Sequence, residues 1–197
     1  MIVTKISKTL AVVAAELPKV DLARAAEISG GRCALCHGAE GDSSSPLYPR
    51  LAGQHHQYIA KQLGDFKSGR RKSDTMNGMA QDLTPDEMLA LGVYFEQKPT
   101  KPREARDADL AAVGRYIFHR GNDFSGVAAC AGCHGEKGHG TEQLPRLAGQ
   151  VPRYIEAQLK SFNTRARTND NEIMHSIASK LTELEVKAVA LYISTLD

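Results

Sequence analysis

The chain has 197 residues, enough for one or two small domains, and its 42% of apolar and 24% of charged residues are ordinary for a globular protein. A net charge of +2, with scattered Lys and Arg, does not favour a nucleic-acid partner. The sequence also has no run of about 18 apolar residues, which excludes a transmembrane helix.

Residues 1–19 form an N-terminal segment that differs in pattern from the rest of the chain. Lys5 and Lys8 precede a short apolar stretch at 10–15, a pattern typical of the end of a secretory signal. The apolar stretch is shorter than usual, so the segment could be a signal remnant, a trimmed terminus or an ordinary first segment. If it is a remnant, the mature domain begins between Glu16 and Val20.

Residues 21–30 have helical periodicity and lead into a Cys-x-x-Cys-His run formed by Cys33, Cys36 and His37. This pattern is typical of covalent attachment of a c-type haem. Cysteines three apart lie on one side of a helical turn, so each thiol can add to a vinyl group of the same porphyrin. The adjacent histidine can then bind the iron as the proximal ligand.

The same pattern recurs at Cys130, Cys133 and His134, and the two runs use all four cysteines. A single Cys-x-x-Cys could instead be a thioredoxin-like redox pair or half of a zinc site. A zinc site would have to join pairs that lie nearly half the chain apart, and a thioredoxin pair needs no adjacent histidine. The sequence therefore predicts two haem c groups, with His37 and His134 as iron ligands.

A proline and an arginine follow each haem run at similar distances, namely Pro49 with Arg50 and Pro145 with Arg146. The proline carbonyl could accept the ring N–H of the proximal histidine, which would fix the ring and raise its basicity. The alternative is an ordinary turn proline. The arginines could pair with haem propionates or lie on the solvated surface.

The chain is a tandem repeat. A Leu-Ala-Gly-Gln run follows both arginines and ends at Gln54 in the first half and at Gln150 in the second. Later matches pair Tyr58, Gln62, Leu63 and Phe66 with Tyr154, Gln158, Leu159 and Phe162. Each copy is long enough to hold its own core and cofactor, which indicates a duplicated domain.

The pattern predicts an all-α fold, because strand-like alternation is absent. Amphipathic helices are predicted over 54–66, 107–120 and 152–162. Thr84 with Glu87, and Thr182 with Glu185, have the spacing of capping boxes at the start of each last helix. A basic stretch at 97–103 contains two prolines and breaks the helical pattern. We therefore expect domains at 20–97 and 107–197, joined by a linker at 98–106.

Each iron needs a sixth ligand, and the repeat nominates Met76 and Met174, which both lie seven residues before the leucine that precedes the last helix. Met174 is the only methionine of the C-terminal half. In the N-terminal half Met79 and Met88 compete. Met79 aligns with Ile177 and Met88 falls within the last helix, so both are expected to pack. His/Met coordination is thus predicted at both irons.

These features resemble the class I cytochromes c, and specifically the c4-type dihaem cytochromes of bacteria, over about residues 20–197. The resemblance rests on the two C-x-x-C-H-G runs, the two P-R-L-A-G-Q runs, the helices that follow them, and the paired methionines. It implies two helical domains related by an approximate two-fold axis, with the haem propionate edges facing the domain interface.

The resemblance also implies a periplasmic electron carrier, soluble or peripherally associated with the membrane. Its acceptor would be a terminal oxidase, and its donor a quinol-oxidising complex or a dehydrogenase. An alternative is the cytochrome subunit of a dehydrogenase complex that takes electrons from a flavin or other redox subunit. A dihaem peroxidase would need one iron with an open position, which equivalent methionines in both halves argue against. Arg70, Arg71 and Lys72 could form a docking patch or a solvated basic face.

Overall fold

The computed structural model describes residues 17–197, so the signal-like pattern in residues 1–16 lies outside the described residues. Within this range the chain is helical, and its extended pairing is limited to one isolated bridge between Asn122 and Val127. No helix in the described part is both long and apolar enough to cross a membrane. The prediction of an all-α fold is confirmed.

The first half contains five α-helices and the second half, which begins with α6, contains five more among residues 17–197. Their bounds are α1 Leu22–Ile28, α2 Ala34–His37, α3 His56–Lys67, α4 Met76–Ala80, α5 Pro85–Glu96, α6 Ala108–Arg120, α7 Ala131–His134, α8 Pro152–Asn163, α9 Ile173–Ala178 and α10 Glu183–Thr195. The longer helices agree with the predicted ones to within about two residues, whereas the short helices α4 and α9 were not predicted.

Each half packs its first and last helices together and lays a middle helix against the last one. In the first half α1 and α3 pack on α5, around a core that includes Ile59, Leu91 and Phe95. Met88 is part of this core and is only 6% exposed, as its place in the last helix predicts. In the second half α6 and α8 pack on α10 around Phe118 and other apolar side chains.

Two of these helix crossings depend on a glycine. A Cβ atom at Gly92 of α5 would lie 2.5 Å from the carbonyl oxygen of His56, and one at Gly114 of α6 would lie 2.0 Å from that of Ala188. Atoms cannot approach so closely, so no other residue fits without moving a backbone. The absence of a side chain therefore lets these pairs of helices touch.

The predicted capping boxes are present at the start of both last helices. Thr84 Oγ1 accepts the N–H of Glu87 at 3.2 Å, and the carboxylate of Glu87 accepts the N–H of Thr84 at 3.0 Å. Thr182 and Glu185 repeat the arrangement at 3.2 and 2.8 Å. These reciprocal bonds satisfy N–H groups that a helix start otherwise leaves unpaired. The same local sequence thus fixes the entry to α5 and to α10.

The two halves enter their Cys-x-x-Cys-His turns differently. In the first half α1 continues through a π-helical turn, Ser29–Cys33, directly into α2. In the second half α6 ends at Arg120, and a loop held by the backbone bonds between Asn122 and Val127 precedes α7. The Cys-x-x-Cys-His turn therefore follows a π-helical turn in the first half and a loop in the second.

Candidate haem sites

The cysteines of each run lie on one helical turn, as their spacing predicts. Cys33 closes the π-helical turn that precedes α2, and Cys130 is the N-cap of α7. No disulfide joins any of the four cysteines. In the chain before haem is attached, burial raises the pKa of the Cys33 thiol and raises that of Cys130 to about 11. Among residues 17–197 no cluster of three or more His, Cys, Asp or Glu side chains could hold a metal ion.

The histidine of each run is buried and has one defined ring orientation. Nδ1 of His37 donates to the carbonyl oxygen of Pro49 at 2.9 Å, and Nδ1 of His134 donates to that of Pro145 at 3.1 Å. A carbonyl can only accept, so Nδ1 carries the proton and Nε2 is left for a metal. Burial lowers the pKa of both rings, although the bond to proline opposes the shift. Both rings are therefore neutral imidazoles at pH 7, and the expected contacts to proline are present, whereas their ligation of iron stays a prediction.

The predicted sixth ligands occupy equivalent short helices. Met76 begins α4, which packs on α3, and Met174 lies in α9, which packs on α8. The backbone N–H of Met76 donates to Ser73 Oγ at 3.2 Å, and that of Met174 donates to Asp170 Oδ2 at 2.6 Å. Both side chains are half-buried, whereas Met79 is 43% exposed. Ligation by Met76 and Met174 stays a prediction.

The arginines after the two prolines lie between the domains, not on the solvated surface. Arg50 donates to the carbonyl of Gly149 in the second half at 3.0 Å and also to that of Lys101 in the linker. Arg146 donates to Thr100 at 3.4 Å, while its buried Nε has no partner. Arg103 in the linker has a second buried and unpaired Nε. Such donors fit the carboxylate groups of a haem, which would satisfy them.

A second set of contacts joins the domains through the glutamines of the repeated Leu-Ala-Gly-Gln run. The amide of Gln54 accepts the backbone N–H of Arg146 at 2.8 Å and donates to its carbonyl at 2.9 Å. Gln150 makes the same pair of bonds with Arg50, at 2.8 and 3.0 Å. Each glutamine thus forms hydrogen bonds with the backbone of the other half. This reciprocity is expected of an approximate two-fold axis.

At the centre of the interface lie two buried arginines, Arg71 and Arg167, each 8% exposed. Arg71 donates to Tyr154 at 2.9 Å, and Arg167 donates to Tyr58 at 3.0 Å. Both also donate to the side-chain oxygens of Gln62 and Gln158, at 2.7 to 3.1 Å. Each guanidinium also stacks on the phenylalanine of its own half, Phe66 or Phe162, at 4.6 and 4.5 Å from the ring centroid.

The idea that Arg70, Arg71 and Lys72 form one exposed basic patch is wrong for Arg71, because its guanidinium is buried against the second half. The residue matched by Arg71 in the repeat, Arg167, was missed. The sequence held a signal for this pair, since each arginine lies five residues after a matched phenylalanine.

The two guanidinium groups make the surroundings of Tyr154 electropositive. Burial alone would raise the pKa of the Tyr154 phenol, but the charges of Arg71 and Arg167 and their hydrogen bonds lower it below its usual value. An environment that favours a phenolate also favours other anions.

The chain matches the cytochrome c family over residues 22–120 and again over 118–197. It is 41% identical to a cytochrome c4 of Thiocapsa roseopersicina over 188 residues, 93% of this chain and 97% of the relative. It is 38% identical to a thiosulfate dehydrogenase electron acceptor of Thiomonas intermedia, over 86% of this chain and 81% of that protein.

The structure is similar to the crystal structure of reduced recombinant cytochrome c4 from Pseudomonas stutzeri, with a TM-score of 0.85 and 33% identity. The match covers 91% of this chain and all of that one. The similarity therefore extends over both halves of the chain. The chain belongs to the cytochrome c family, as an electron-transfer protein of the c4 type with two tandem domains and two haem c groups.

Proposed function

We propose that the protein is a periplasmic electron carrier in which both irons have His/Met coordination. His37 and Met76 would hold the iron of the domain at 20–97, and His134 and Met174 that of the domain at 107–197, with the linker at 98–106 between them. Cys33, Cys36, Cys130 and Cys133 would form the thioethers. The observation that carries this proposal is the matched pair of buried histidines, each with Nδ1 on a proline carbonyl and Nε2 left for a metal.

Haem c, when bound, supplies a one-electron Fe(III)/Fe(II) couple at each site. The chain's own residues would set how readily each couple accepts an electron. The proline carbonyls strengthen the histidines as donors, which favours Fe(III), whereas a thioether sulfur favours Fe(II). The proposed ligand sets leave no open position for a substrate, so the protein would act as a carrier and not as an enzyme.

For the redox partners we propose a terminal oxidase as acceptor and a quinol-oxidising complex or a dehydrogenase as donor. The similarity to proteins named cytochrome c4 supports a carrier of electrons between redox partners. Association with a membrane would be peripheral.

A second candidate function is the dedicated electron acceptor of a dehydrogenase. The observation that favours it is the 38% identity to a protein named as the electron acceptor of a thiosulfate dehydrogenase, over most of both chains. The haem chemistry is the same in the two cases. They differ in whether one donor partner is much preferred over the others.

The iron ligands can be tested in the oxidised holoprotein with Met76→Ala, Met174→Ala and, as a matched control, Met79→Ala. We expect the wild type to be low-spin with the weak sulfur-to-iron charge-transfer band. Each ligand variant should lose about half of that band, because each removes one of two thioether ligands. Met79→Ala should keep it in full, and a high-spin haem in the wild type would contradict the proposed ligation.

The partners can be tested by stopped-flow mixing. If the protein is a general carrier, the reduced form should be oxidised rapidly by membranes that contain a c-type terminal oxidase. If it is a dedicated acceptor, the oxidised form should be reduced by a thiosulfate dehydrogenase with thiosulfate far faster than by other donors. Rapid reduction by that enzyme together with no oxidation by membranes would favour the second function.

A further inference from the structure

The peptide group between Pro49 and Arg50 is hydrogen-bonded at both of its ends. Its oxygen, the carbonyl of Pro49, accepts Nδ1 of His37 at 2.9 Å. Its N–H, that of Arg50, donates to the side-chain oxygen of Gln150 at 2.8 Å. The histidine belongs to the first domain and the glutamine to the second. One rigid peptide plane therefore links the proximal histidine of one domain to a side chain of the other.

The second domain repeats this arrangement. The carbonyl of Pro145 accepts Nδ1 of His134 at 3.1 Å, and the N–H of Arg146 in the same peptide group donates to the side-chain oxygen of Gln54 at 2.8 Å. The two series of hydrogen bonds run in opposite directions across the interface. Each domain thus supplies the glutamine oxygen that ends the series of the other domain.

Both glutamine side chains are held in the orientation that this linkage needs. Each is 7% exposed and uses its NH₂ group on the carbonyl of the same arginine whose N–H it accepts. The oxygen of Gln150 also accepts the backbone N–H of Val151 at 2.8 Å. That of Gln54 also accepts the N–H of His55, at 3.2 Å. The amide oxygens are therefore fixed toward the shared peptide groups.

Hydrogen bonds in series polarise one another and strengthen by roughly 10–30% per bond. A peptide whose N–H is bonded carries more negative charge on its carbonyl oxygen and accepts a proton more strongly. A stronger acceptor on Nδ1–H makes the imidazole more basic at Nε2, the atom proposed to bind iron. A more basic ligand stabilises Fe(III) and lowers the reduction potential.

We propose that each domain tunes the haem of the other: Gln150 lowers the reduction potential of the haem held by His37, and Gln54 lowers that of the haem held by His134. The inference rests on the proposed ligation by these two histidines. Gln54 and Gln150 are thereby positioning residues, which act on the iron through a peptide group and a histidine. The potentials depend on the docking of the two domains, because each domain completes the hydrogen-bond chain of the other.

The test uses the holoprotein as wild type, Gln150→Leu and Gln54→Leu. A redox titration is followed by NMR, with the haem methyl signals assigned to each domain through contacts with its own residues. Gln150→Leu should raise the potential of the first-domain haem and leave that of the second, and Gln54→Leu should do the opposite. In the reduced protein the Nδ1 proton of the affected histidine should move upfield, which a merely structural role would not produce selectively.

Asn169→Leu provides a matched neutral control at the same interface. It removes bonds from Asn169 to Gln62 and Asp65 of the first domain without touching either proline peptide. It should leave the spacing of the two potentials unchanged. The proposal is wrong if Gln150→Leu changes the reduction potential of the second-domain haem as much as that of the first-domain haem. It is also wrong if the variant changes neither potential.

If Gln150→Leu separates the domains, which X-ray scattering would show, a second variant tests the proposal. Gln150→Glu keeps an acceptor for the N–H of Arg50 and makes it stronger. The His37 ring proton should then move downfield while that of His134 stays in place, and an unmoved His37 proton would overturn the proposal. Loss of the low-spin His/Met spectrum in the wild type would instead overturn the ligation itself.

Discussion

Two guanidinium groups share the same glutamine amides at the centre of the molecule. The hydrogen bonds of Arg71 and Arg167 go to amide and phenol oxygens, and both groups are almost fully buried. Two positive charges in such an environment repel each other unless anions lie nearby. Burial alone would lower the pKa of Arg167, but Tyr58, Tyr154 and Asp170 raise it above its usual value, so these neighbours offset part of the repulsion.

We expect Arg167→Met to lower the free energy of unfolding of the holoprotein by about 2 kcal/mol or more, because it removes the hydrogen bonds to Tyr58 and Asn169 and the stacking on Phe162. The control is Arg165→Met. Arg165 is 54% exposed and pairs with the similarly exposed Glu172, so its loss should cost less than about 0.5 kcal/mol. Urea unfolding of both variants measures the difference, and equal losses would contradict the role given to Arg167.

Local patterns predicted the haem turns well, because Cys33, Cys36 and His37 lie within one turn and need no distant partner. The burial of Arg71 could not be read in the same way. Two of its partners, Tyr154 and Gln158, lie 83 and 87 residues away, so the neighbouring sequence does not indicate that the side chain is buried against the other half. Comparison of the two halves would have found its match with Arg167, but not the contact between them.

At the scale of helices, the capping residues and amphipathic faces were sufficient to place the long elements. The short helices α4 and α9 have only five and six residues, too few to show a helical period. They are held instead by side-chain bonds around them, such as Asn77 to the carbonyl of Phe66 and His175 to that of Phe162. The two short helices that contain the proposed methionine ligands are thus stabilised by tertiary contacts.

The close helix crossing at Gly114 can be tested by comparing an alanine substitution there with one at Gly64. Gly114→Ala should destabilise the holoprotein by about 2 kcal/mol or more, because the new Cβ would meet the backbone of Ala188 although alanine favours helices. Gly64→Ala, in α3, meets nothing within 4 Å and should stabilise it by about 0.5–1 kcal/mol. Thermal or urea unfolding gives the signs, and the same sign for both variants would contradict the packing described.

At the scale of the whole molecule, the domains are joined by polar contacts that include one buried carboxylate. Asp65 is 1% exposed in its side chain and accepts from Asn169 of the second domain at 2.7 Å. Burial alone would raise the pKa of Asp65, but hydrogen bonds from Lys61 and Asn169 and the charges of Lys61 and Arg70 lower it. The interface is therefore sensitive to acid.

A lowered carboxyl pKa contributes stability that is fully present above the unfolded value, near 4, and is lost as the pH falls through the lower folded value. We expect Asp65→Asn to lower the free energy of unfolding at pH 7 by roughly 1.5–3 kcal/mol, because hydrogen bonds to a charged group are lost, and to flatten the decline toward pH 3. The control is Asp82→Asn, at a side chain 77% exposed, which should change the free energy of unfolding at pH 7 by less than about 0.5 kcal/mol. Urea unfolding between pH 7 and 3 measures both, and parallel profiles for wild type and Asp65→Asn would rule out this role.

The reciprocal bonds of Gln54 and Gln150 have a consequence for the origin of the molecule. Each half carries both the glutamine and the backbone that it binds, so a lone ancestral half already had a self-complementary face with which two copies could pair. Fusion through the short linker would have replaced an encounter between separate chains by an effective concentration in the millimolar range. After fusion the two copies could diverge. The π-helical turn of the first half and the loop of the second half are such differences.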